Sequence, residues 1–307
     1  MSGFQVTIVG LGVSGASFGL ALKQASREFR IVGHDREPSA AAEARKMGAV
    51  DRTEWNLPNA CRGADLVILA LPLPAIRDTL AVIAPELPTG CLVTDTASVK
   101  EPVLAWAREL LPSRVNFVGG DPIGARGRAT TARADLFSNT TYCLCPDSNT
   151  PPEAVEQASN LATAVGATPR FMDAAEHDGL AAALEQLPFI LSVAALQTAS
   201  ASSSWRELAK LGGERFERLL ALQGDNPDGE FEAIRANAAN IGRWLSAVQA
   251  ALESLRGLLA SGEPAVHQEA VKRLTEARAV WDRHESEPVS VQPDYKAFSI
   301  RRLLGFR

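Results

Sequence analysis

The run Phe4-Gln5-Val6-Thr7-Ile8-Val9-Gly10 passes without a break into Gly10-Leu11-Gly12-Val13-Ser14-Gly15 and then into a helical stretch over 13–26. A buried strand that ends in a Gly-x-Gly-x-x-Gly turn and opens a helix is the first unit of a dinucleotide-binding sheet. The three glycines are needed for different reasons. Gly10 permits the tight turn, Gly12 lets the backbone approach a pyrophosphate, and Gly15 allows the helix to pack close on the strand. The helix N-terminus offers N–H groups and a positive dipole end to the phosphates. Leu11, Val13 and Ser14 therefore join the glycines as expected cofactor contacts. A second apolar run, 29–35, ends in Asp35, at roughly the 20-residue spacing of this motif. An aspartate there binds both ribose hydroxyls and repels a 2′-phosphate, which favours NAD. Arg36 follows at once and is able to hold a 2′-phosphate, so NADP stays open. The plain alternative is a sheet of this kind that binds no cofactor.

The alternation continues. Apolar runs at 64–71, 91–95, 115–120 and 141–145 read as strands covered on both faces, and 167–173 as a last short one. Helical stretches at 38–47, 74–85, 99–111 and 150–167 lie between them. The expected fold class is an α/β Rossmann fold, a doubly wound and mainly parallel sheet, followed by an all-α domain. Ala70-Leu71-Pro72-Leu73-Pro74 closes the run at 64–71, at the carboxyl edge where ligands of open sheets bind. Pro72 and Pro74 are expected to stiffen the loop beneath the nicotinamide half, although they also serve simply to end a strand and start a helix, and Leu71, Pro72 and Thr96 are expected cofactor contacts.

After Asp173 the strand signal stops. Stretches 174–199, 203–222, 228–260 and 263–285 are rich in Ala, Leu, Glu and Arg with helical periodicity. The expected organisation is a dinucleotide-binding domain over 1–172, a helical substrate and dimerisation domain over 173–285, and a tail over 286–307. The tail ends in a basic stretch and reads as a loosely docked terminus or a partner-binding segment. No regulatory domain is expected beyond residue 285. The helices carry more apolar surface than roughly a hundred residues bury alone, so 174–199 and 228–260 are expected to form a homodimer interface.

With 307 residues, 46% of them hydrophobic, the chain can build a large core. A net charge of −5 and a pI near 5.5 argue against a nucleic-acid partner. Cys61, Cys91, Cys143 and Cys145 lie in apolar stretches and read as buried, reduced thiols rather than disulfides or a metal site. The N-terminus lacks the features of a signal peptide, and no apolar run reaches the roughly 20 residues that span a bilayer. A cytoplasmic protein with no membrane partner and no metal is expected.

The stretches Gly10-Leu-Gly-Val-Ser-Gly-Ala-Ser-Phe-Gly-Leu-Ala-Leu22, Asp65-Leu-Val-Ile-Leu-Ala-Leu-Pro-Leu-Pro-Ala-Ile-Arg-Asp-Thr-Leu80 and Val93-Thr-Asp-Thr-Ala-Ser-Val-Lys100 resemble the prephenate/arogenate dehydrogenase family. Gly119-Gly120-Asp121-Pro122, Asp135-Leu136-Phe137, His177-Asp178, Leu187-Pro188 and Asn237 extend the resemblance over about residues 4–260. The resemblance implies oxidative decarboxylation of a small cyclic acid, with hydride transfer to a nicotinamide, in tyrosine biosynthesis. It also implies dimerisation through the helical domain. A ring hydroxyl gives its proton to a histidine, a serine orients it, and a second-domain histidine and an arginine clamp the substrate's carboxylates.

Several of those positions differ here. Ser98 matches the serine, though a helix N-cap is also a role for it. The His-Pro histidine is Asp121, whose ordinary pKa lies well below neutrality, so a base there needs burial or a negative neighbour. The two histidines of the family's His-Leu-Pro-His segment are Gln186 and Phe189, and the arginine falls at Ala221, with Arg215 and Arg218 nearby. Gln186 and His177 are the expected substrate contacts, His177 also having a purely structural reading. Arg126, Arg128 and Arg133 follow Asp121 and read either as a relocated anion clamp or as a solvated basic loop. Three functions fit: a dehydrogenase using Ser98 and Asp121, a dehydrogenase with a changed small-acid substrate, and a non-catalytic dinucleotide-binding protein.

Overall fold

The computed structural model describes residues 3–125, 130–223, 227–261 and 264–285. Its sheet consists of β1 (Gln5–Val9), β2 (Arg30–His34), β3 (Arg52–Thr53), β4 (Leu66–Leu69), β5 (Leu92–Asp95), β6 (Asn116–Ile123), β7 (Thr141–Pro146) and β8 (Thr168–Phe171). The spatial order is β3-β2-β1-β4-β5-β6-β7-β8. All neighbours pair in parallel except β6 and β7, which are antiparallel. The chain winds outward from β1 through β2 to β3, then returns to β4 on the other side of β1. The crevice at that reversal, outside the carboxyl ends of the strands, is where such sheets take ligands.

β1, β4 and β5 are buried along their whole lengths, as parallel strands covered on both faces must be. The helices flanking them are α1 (Val13–Ala25), α2 (Pro38–Lys46), α3 (Leu57–Cys61), α4 (Leu73–Ile83), α5 (Glu101–Leu110) and α6 (Pro152–Ala164). On α4, Ile76, Leu80 and Ile83 recur at helical spacing, are fully buried, and join Val67, Leu69, Val93 and Val103 in one apolar cluster. Each such side chain contributes roughly 1.5–3 kcal/mol by leaving water. Pro72 and Pro74 open α4, the first as N-cap and the second within the first turn. All four cysteines are free and buried. Burial pushes the thiols of Cys61, Cys143 and Cys145 up to about 12, which keeps them protonated.

Beyond β8 come α7 (Ala174–Ala181), a π-helical turn (Ala182–Gln186) and α8 (Leu187–Ser200). Pro188 explains the widened turn, since its ring would collide with the Leu184 carbonyl of a regular α-helix. This 27-residue helix, Ala174–Ser200, holds an 18-residue window with a mean hydropathy of 1.6 and is, by length and composition, long and apolar enough to cross a membrane. That corrects the expectation that no run reaches such a length. Yet His177, Asp178, Gln186 and Ser192 are buried on it, and the first three are bonded to other parts of the same unit, as a packed helix requires.

α9 (Trp205–Leu211) and α10 (Glu214–Leu220) replace the single helix expected over 203–222, because Gly212-Gly213 separates them. Likewise α11 (Pro227–Ala236) and α12 (Ala238–Ser261) break at Asn237. α13 (Pro264–Glu285) is the last described helix. The described residues up to Ile241 form one compact unit and those from Gly242 to Glu285 a second. The sequence boundary at 172/173 falls inside the first, at the passage from β8 to α7. In the second, Leu252, Leu255, Leu259, Leu274 and Trp281 of α12 and α13 are exposed.

Candidate functional site

Gly10 leaves β1 with φ +91°, and a Cβ there would lie 2.3 Å from the Ala70 carbonyl oxygen. A Cβ on Gly15 would lie 1.8 Å from the Gly10 carbonyl oxygen. Both glycines are thus required by the protein's own packing. Gly12 differs: it is exposed, and a Cβ there would meet no atom within 4 Å. The fold leaves that cradle open, and an approaching ligand supplies the reason for glycine. Gly12 is also the N-cap of α1 and no side chain caps the helix, so its first-turn N–H groups face outward beside half-buried Val13 and Ser14. These features fit a pyrophosphate.

Asp35 follows β2 as expected. Its Oδ2 accepts a hydrogen bond from the Leu11 amide at 2.6 Å and its Oδ1 one from the Glu37 amide at 2.8 Å. The carboxylate therefore holds the glycine turn in place, and each oxygen retains a lone pair for a further donor. Arg36 is exposed, 3.8 Å from Glu37. Both Asp35 and Arg36 line a groove of about 820 Å³ between α2 and the loop after β3, with Arg45, Lys46 and Trp55 on its walls. On the other side of the turn, the Leu71 side chain lies against Gly10, Pro72 is exposed and Thr96 half-buried.

The polar centre lies at the carboxyl ends of β5 and β6. Lys100 and Asp95 are fully buried and paired, Lys100 Nζ donating to Asp95 Oδ2 and, at 2.7 Å, to the Gly120 carbonyl. Asp95 also accepts from the amides of Ala97 at 2.9 Å and Gly120 at 3.1 Å. Asp121 comes next along β6, which runs three residues past its expected end and places Asp121 opposite Cys143. Asp121 Oδ2 is 3.1 Å from His177 Nε2, and His177 Nδ1 is 2.9 Å from Asp178 Oδ1. His177 and Asp121 have no solvent exposure. Burial works against a charge on His177. The hydrogen bonds to Asp121 and Asp178 outweigh it and hold the imidazole above its usual pKa.

Asp178 also caps a helix. Its Oδ1 accepts from the Lys100 amide at 2.6 Å and its Oδ2 from the Glu101 amide at 3.0 Å, at the start of α5. That corrects the N-cap reading of Ser98, since the cap residue of α5 is Lys100 and no local side chain bonds to it. Ser98 is nine-tenths buried and its hydroxyl makes no hydrogen bond among the described residues, so it is available to a ligand.

Gln186 is fully buried. Its Oε1 accepts from Asn237 Nδ2 at 3.0 Å, Asn237 donates also to the Asp178 carbonyl at 2.8 Å, and the Gln186 Nε2 has no partner among the described residues. Phe189 is buried in an edge-to-face contact with Phe231. Arg126 and Arg128 lie outside the described residues. The Arg133 guanidinium is half-exposed on Asp135, while its amide donates to Ser17 on α1 at 3.0 Å. Arg215 and Arg218 are exposed, the latter paired with Glu214. Sequence reasoning gave no role to Asp95, Lys100 or the Asp178 carboxylate. Three charges inside an apolar stretch were the available signal, since such charges are seldom buried unless paired.

A family model, the nucleotide-binding domain of prephenate dehydrogenase, matches residues 18–170. The chain is 32% identical over 229 residues to the prephenate dehydrogenase of Bacillus subtilis (strain 168), covering 72% of this chain and 61% of that protein. The chain thus spans about three fifths of that relative's length. It is 25% identical over 287 residues to the cyclohexadienyl dehydrogenase of Zymomonas mobilis, covering 92% of this chain and 98% of that one. Among solved structures, prephenate dehydrogenase from Aquifex aeolicus, in complex with hydroxyphenyl propionate and NAD+, superposes with a TM-score of 0.82. The identity is 23%, over 94% of this chain and 99% of that one, so this likeness speaks for the fold.

Proposed function

This chain belongs to the prephenate/arogenate dehydrogenase family, and we propose that it oxidatively decarboxylates prephenate or arogenate with NAD as hydride acceptor, as a tyrosine-forming step. One observation carries the reading: an open glycine turn and a buried, hydrogen-bonded carboxylate stand at the carboxyl edge of one sheet. A dinucleotide held with its pyrophosphate at the turn would supply, in its nicotinamide, an acceptor for the hydride. Gly10, Leu11, Gly12, Val13, Ser14 and Gly15 would hold the pyrophosphate, Asp35 and Arg36 the ribose, and Leu71, Pro72 and Thr96 the nicotinamide end. Ser98 orients the substrate hydroxyl with its uncommitted Oγ, and Asp121 takes the proton. The relative solved with NAD+ and hydroxyphenyl propionate supports the ligand classes.

A changed small-acid substrate is the second reading. Phe189 cannot hydrogen-bond, Gln186 is neutral, and the resemblance sets the family's arginine at Ala221, which carries no charge. Gln186 Nε2 then offers a neutral donor in place of a cation. Turnover with NAD and with NADP, offering prephenate and arogenate, separates the readings. Reduction of the nicotinamide supports the first. Dinucleotide binding without turnover on either acid moves the assignment to the second.

The domain division proposed is 1–172 for the dinucleotide and 173–285 for substrate and dimerisation. Only 28% of the apolar window within Ala174–Ser200 is buried, and Leu180, Leu184 and Leu191 are exposed on that helix. A second copy of the chain covers them in this reading, in a cytoplasmic homodimer. Light scattering tests it, and a mass of 32.7 kDa at all concentrations sinks it.

A further inference from the structure

The imidazole of His177 has a carboxylate on each nitrogen: Asp178 on Nδ1 at 2.9 Å and Asp121 on Nε2 at 3.1 Å. An ionised carboxylate can only accept, so each contact needs a proton on the ring. A neutral ring would set a bare lone pair against one of two buried carboxylates. Asp178 is itself held by the amides of Lys100 and Glu101, so it cannot turn away. From this geometry we propose that His177, as an imidazolium, is the positioning residue of the reaction: it keeps Asp121 ionised and aimed, so that Asp121 can borrow the substrate's hydroxyl proton. This rests on the dehydrogenase reading above.

The chemistry balances. As the ring carbon gives its hydride to the nicotinamide, which is the oxidant, the O–H bond breaks. Its electron pair completes the C=O bond, and the proton goes to Asp121. When the ring carboxylate then leaves as carbon dioxide, the freed C–C pair aromatises the ring and the oxygen takes the proton back. No net proton is consumed. A carboxylate stabilised by an imidazolium is a poor base toward a resting alcohol. It suffices here because the hydroxyl becomes strongly acidic once the hydride departs. This removes the need for the raised Asp121 pKa that the sequence alone called for.

The charged groups that act on His177 are Asp121 from β6, Asp178 beside it on α7, and Lys100 before α5 with Asp95 behind it, while Cys143 of β7 lies opposite Asp121, with Cys145 two residues on. Glu185 and Arg170 stand further out, near Cys143. Lys100 is engaged with Asp95, and both thiols are protonated near neutrality. Asp121 and Asp178 are therefore the groups that decide the charge on His177.

Two measurements test the proposal. The chain has four histidines, His34, His177, His267 and His284, so nitrogen NMR of histidine-labelled protein, assigned with H177Q, reads each ring directly. His177 should remain doubly protonated at pH values above the ordinary histidine midpoint of about 6.5. A neutral ring there overturns the proposal whatever the substrate. The kinetic arm compares H177Q with H177N. Glutamine reaches toward the Nε2 position and still donates to Asp121, whereas asparagine replaces Nδ1 and reaches only Asp178. H177Q should keep a kcat at least about tenfold above H177N, with unchanged dinucleotide affinity, and should lose the alkaline limb of the parent's pH profile. Equal or better turnover by H177N, or the same limb in both proteins, shows a merely structural anchor. If the unaltered protein turns over neither prephenate nor arogenate, the substrate reading fails, while the NMR result still decides the state of His177.

Discussion

Asp178 caps helix α5 from 78 positions away in the chain: its Oδ1 accepts the Lys100 amide at 2.6 Å. Its Oδ2 accepts the next amide, that of Glu101, at 3.0 Å. One buried carboxylate thus fastens α7 to the start of α5 and holds His177 at the same time. Replacing it with alanine leaves two N–H groups without an acceptor and the imidazole without its Nδ1 partner. D178A should lose about 2–4 kcal/mol of stability, read as a lower urea midpoint. D178N keeps one acceptor and should recover part of the loss. A change below about 0.5 kcal/mol in D178A would contradict the cap.

The His177 imidazole sets a pH dependence of stability with a definite sign. Its folded pKa is raised above the unfolded value, burial being outweighed by the bonds to Asp121 and Asp178. The folded state therefore binds the proton more tightly. The contribution is complete below the unfolded midpoint of about 6.5 and fades as pH rises through the folded value. Urea midpoints of the parent and H177Q, compared from mildly acidic to alkaline pH, should converge toward the alkaline end. A gap that widens with pH would reverse the assignment.

Lys100 and Asp95 form the second buried pair, both without solvent exposure. K100M removes one charge and leaves the other buried. Breaking such a pair costs about 3–5 kcal/mol. The value here should fall near the lower end, because the amides of Ala97 and Gly120 still donate to Asp95. Thermal unfolding of K100M checks this, and an unchanged midpoint would mean that the pair contributes nothing.

The run of Phe4–Gly15 made the first strand, the turn and the first helix legible, because period, glycine spacing and burial all point the same way there. Asp35 was legible in position, but its bond to the Leu11 amide was not, since that bond joins two loops. β3 is only two residues long and too short to carry a period. The antiparallel pairing of β6 with β7 depends on how the intervening chain returns, which hydrophobic pattern does not encode. Ser98 looked like the cap of α5 because capping rules are local, whereas the true acceptor, Asp178, arrives from another part of the fold. His177 was identified, yet its position between two carboxylates needed the packing of α7 on β6.

Gly12 and Gly15 allow packing to be separated from ligand binding. A Cβ at Gly15 meets the Gly10 carbonyl oxygen at 1.8 Å, whereas one at Gly12 meets nothing within 4 Å. G15A should be destabilised by more than about 3 kcal/mol. G12A should lose no more than about 1 kcal/mol, through a poorer N-cap, while weakening NAD binding at least about tenfold. Chemical denaturation and fluorescence titration measure the two quantities independently. G12A with native dinucleotide affinity would remove the phosphate from this turn.

Gln186 separates substrate binding from structure in the same way. Its Oε1 is engaged by Asn237, but its Nε2 has no partner among the described residues despite complete burial. An orphan donor of that kind costs about 1–3 kcal/mol unless something accepts from it. Q186M removes the orphan together with the bond from Asn237, and Asn237 keeps its bond to the Asp178 carbonyl. Stability should therefore change by less than about 1 kcal/mol. If a substrate oxygen is the missing acceptor, KM for the acid substrate should rise about tenfold or more with kcat less affected, since the bond is present in ground and transition states alike. An unchanged KM would take the Nε2 out of substrate recognition and leave the substrate's carboxylates to be recognised elsewhere.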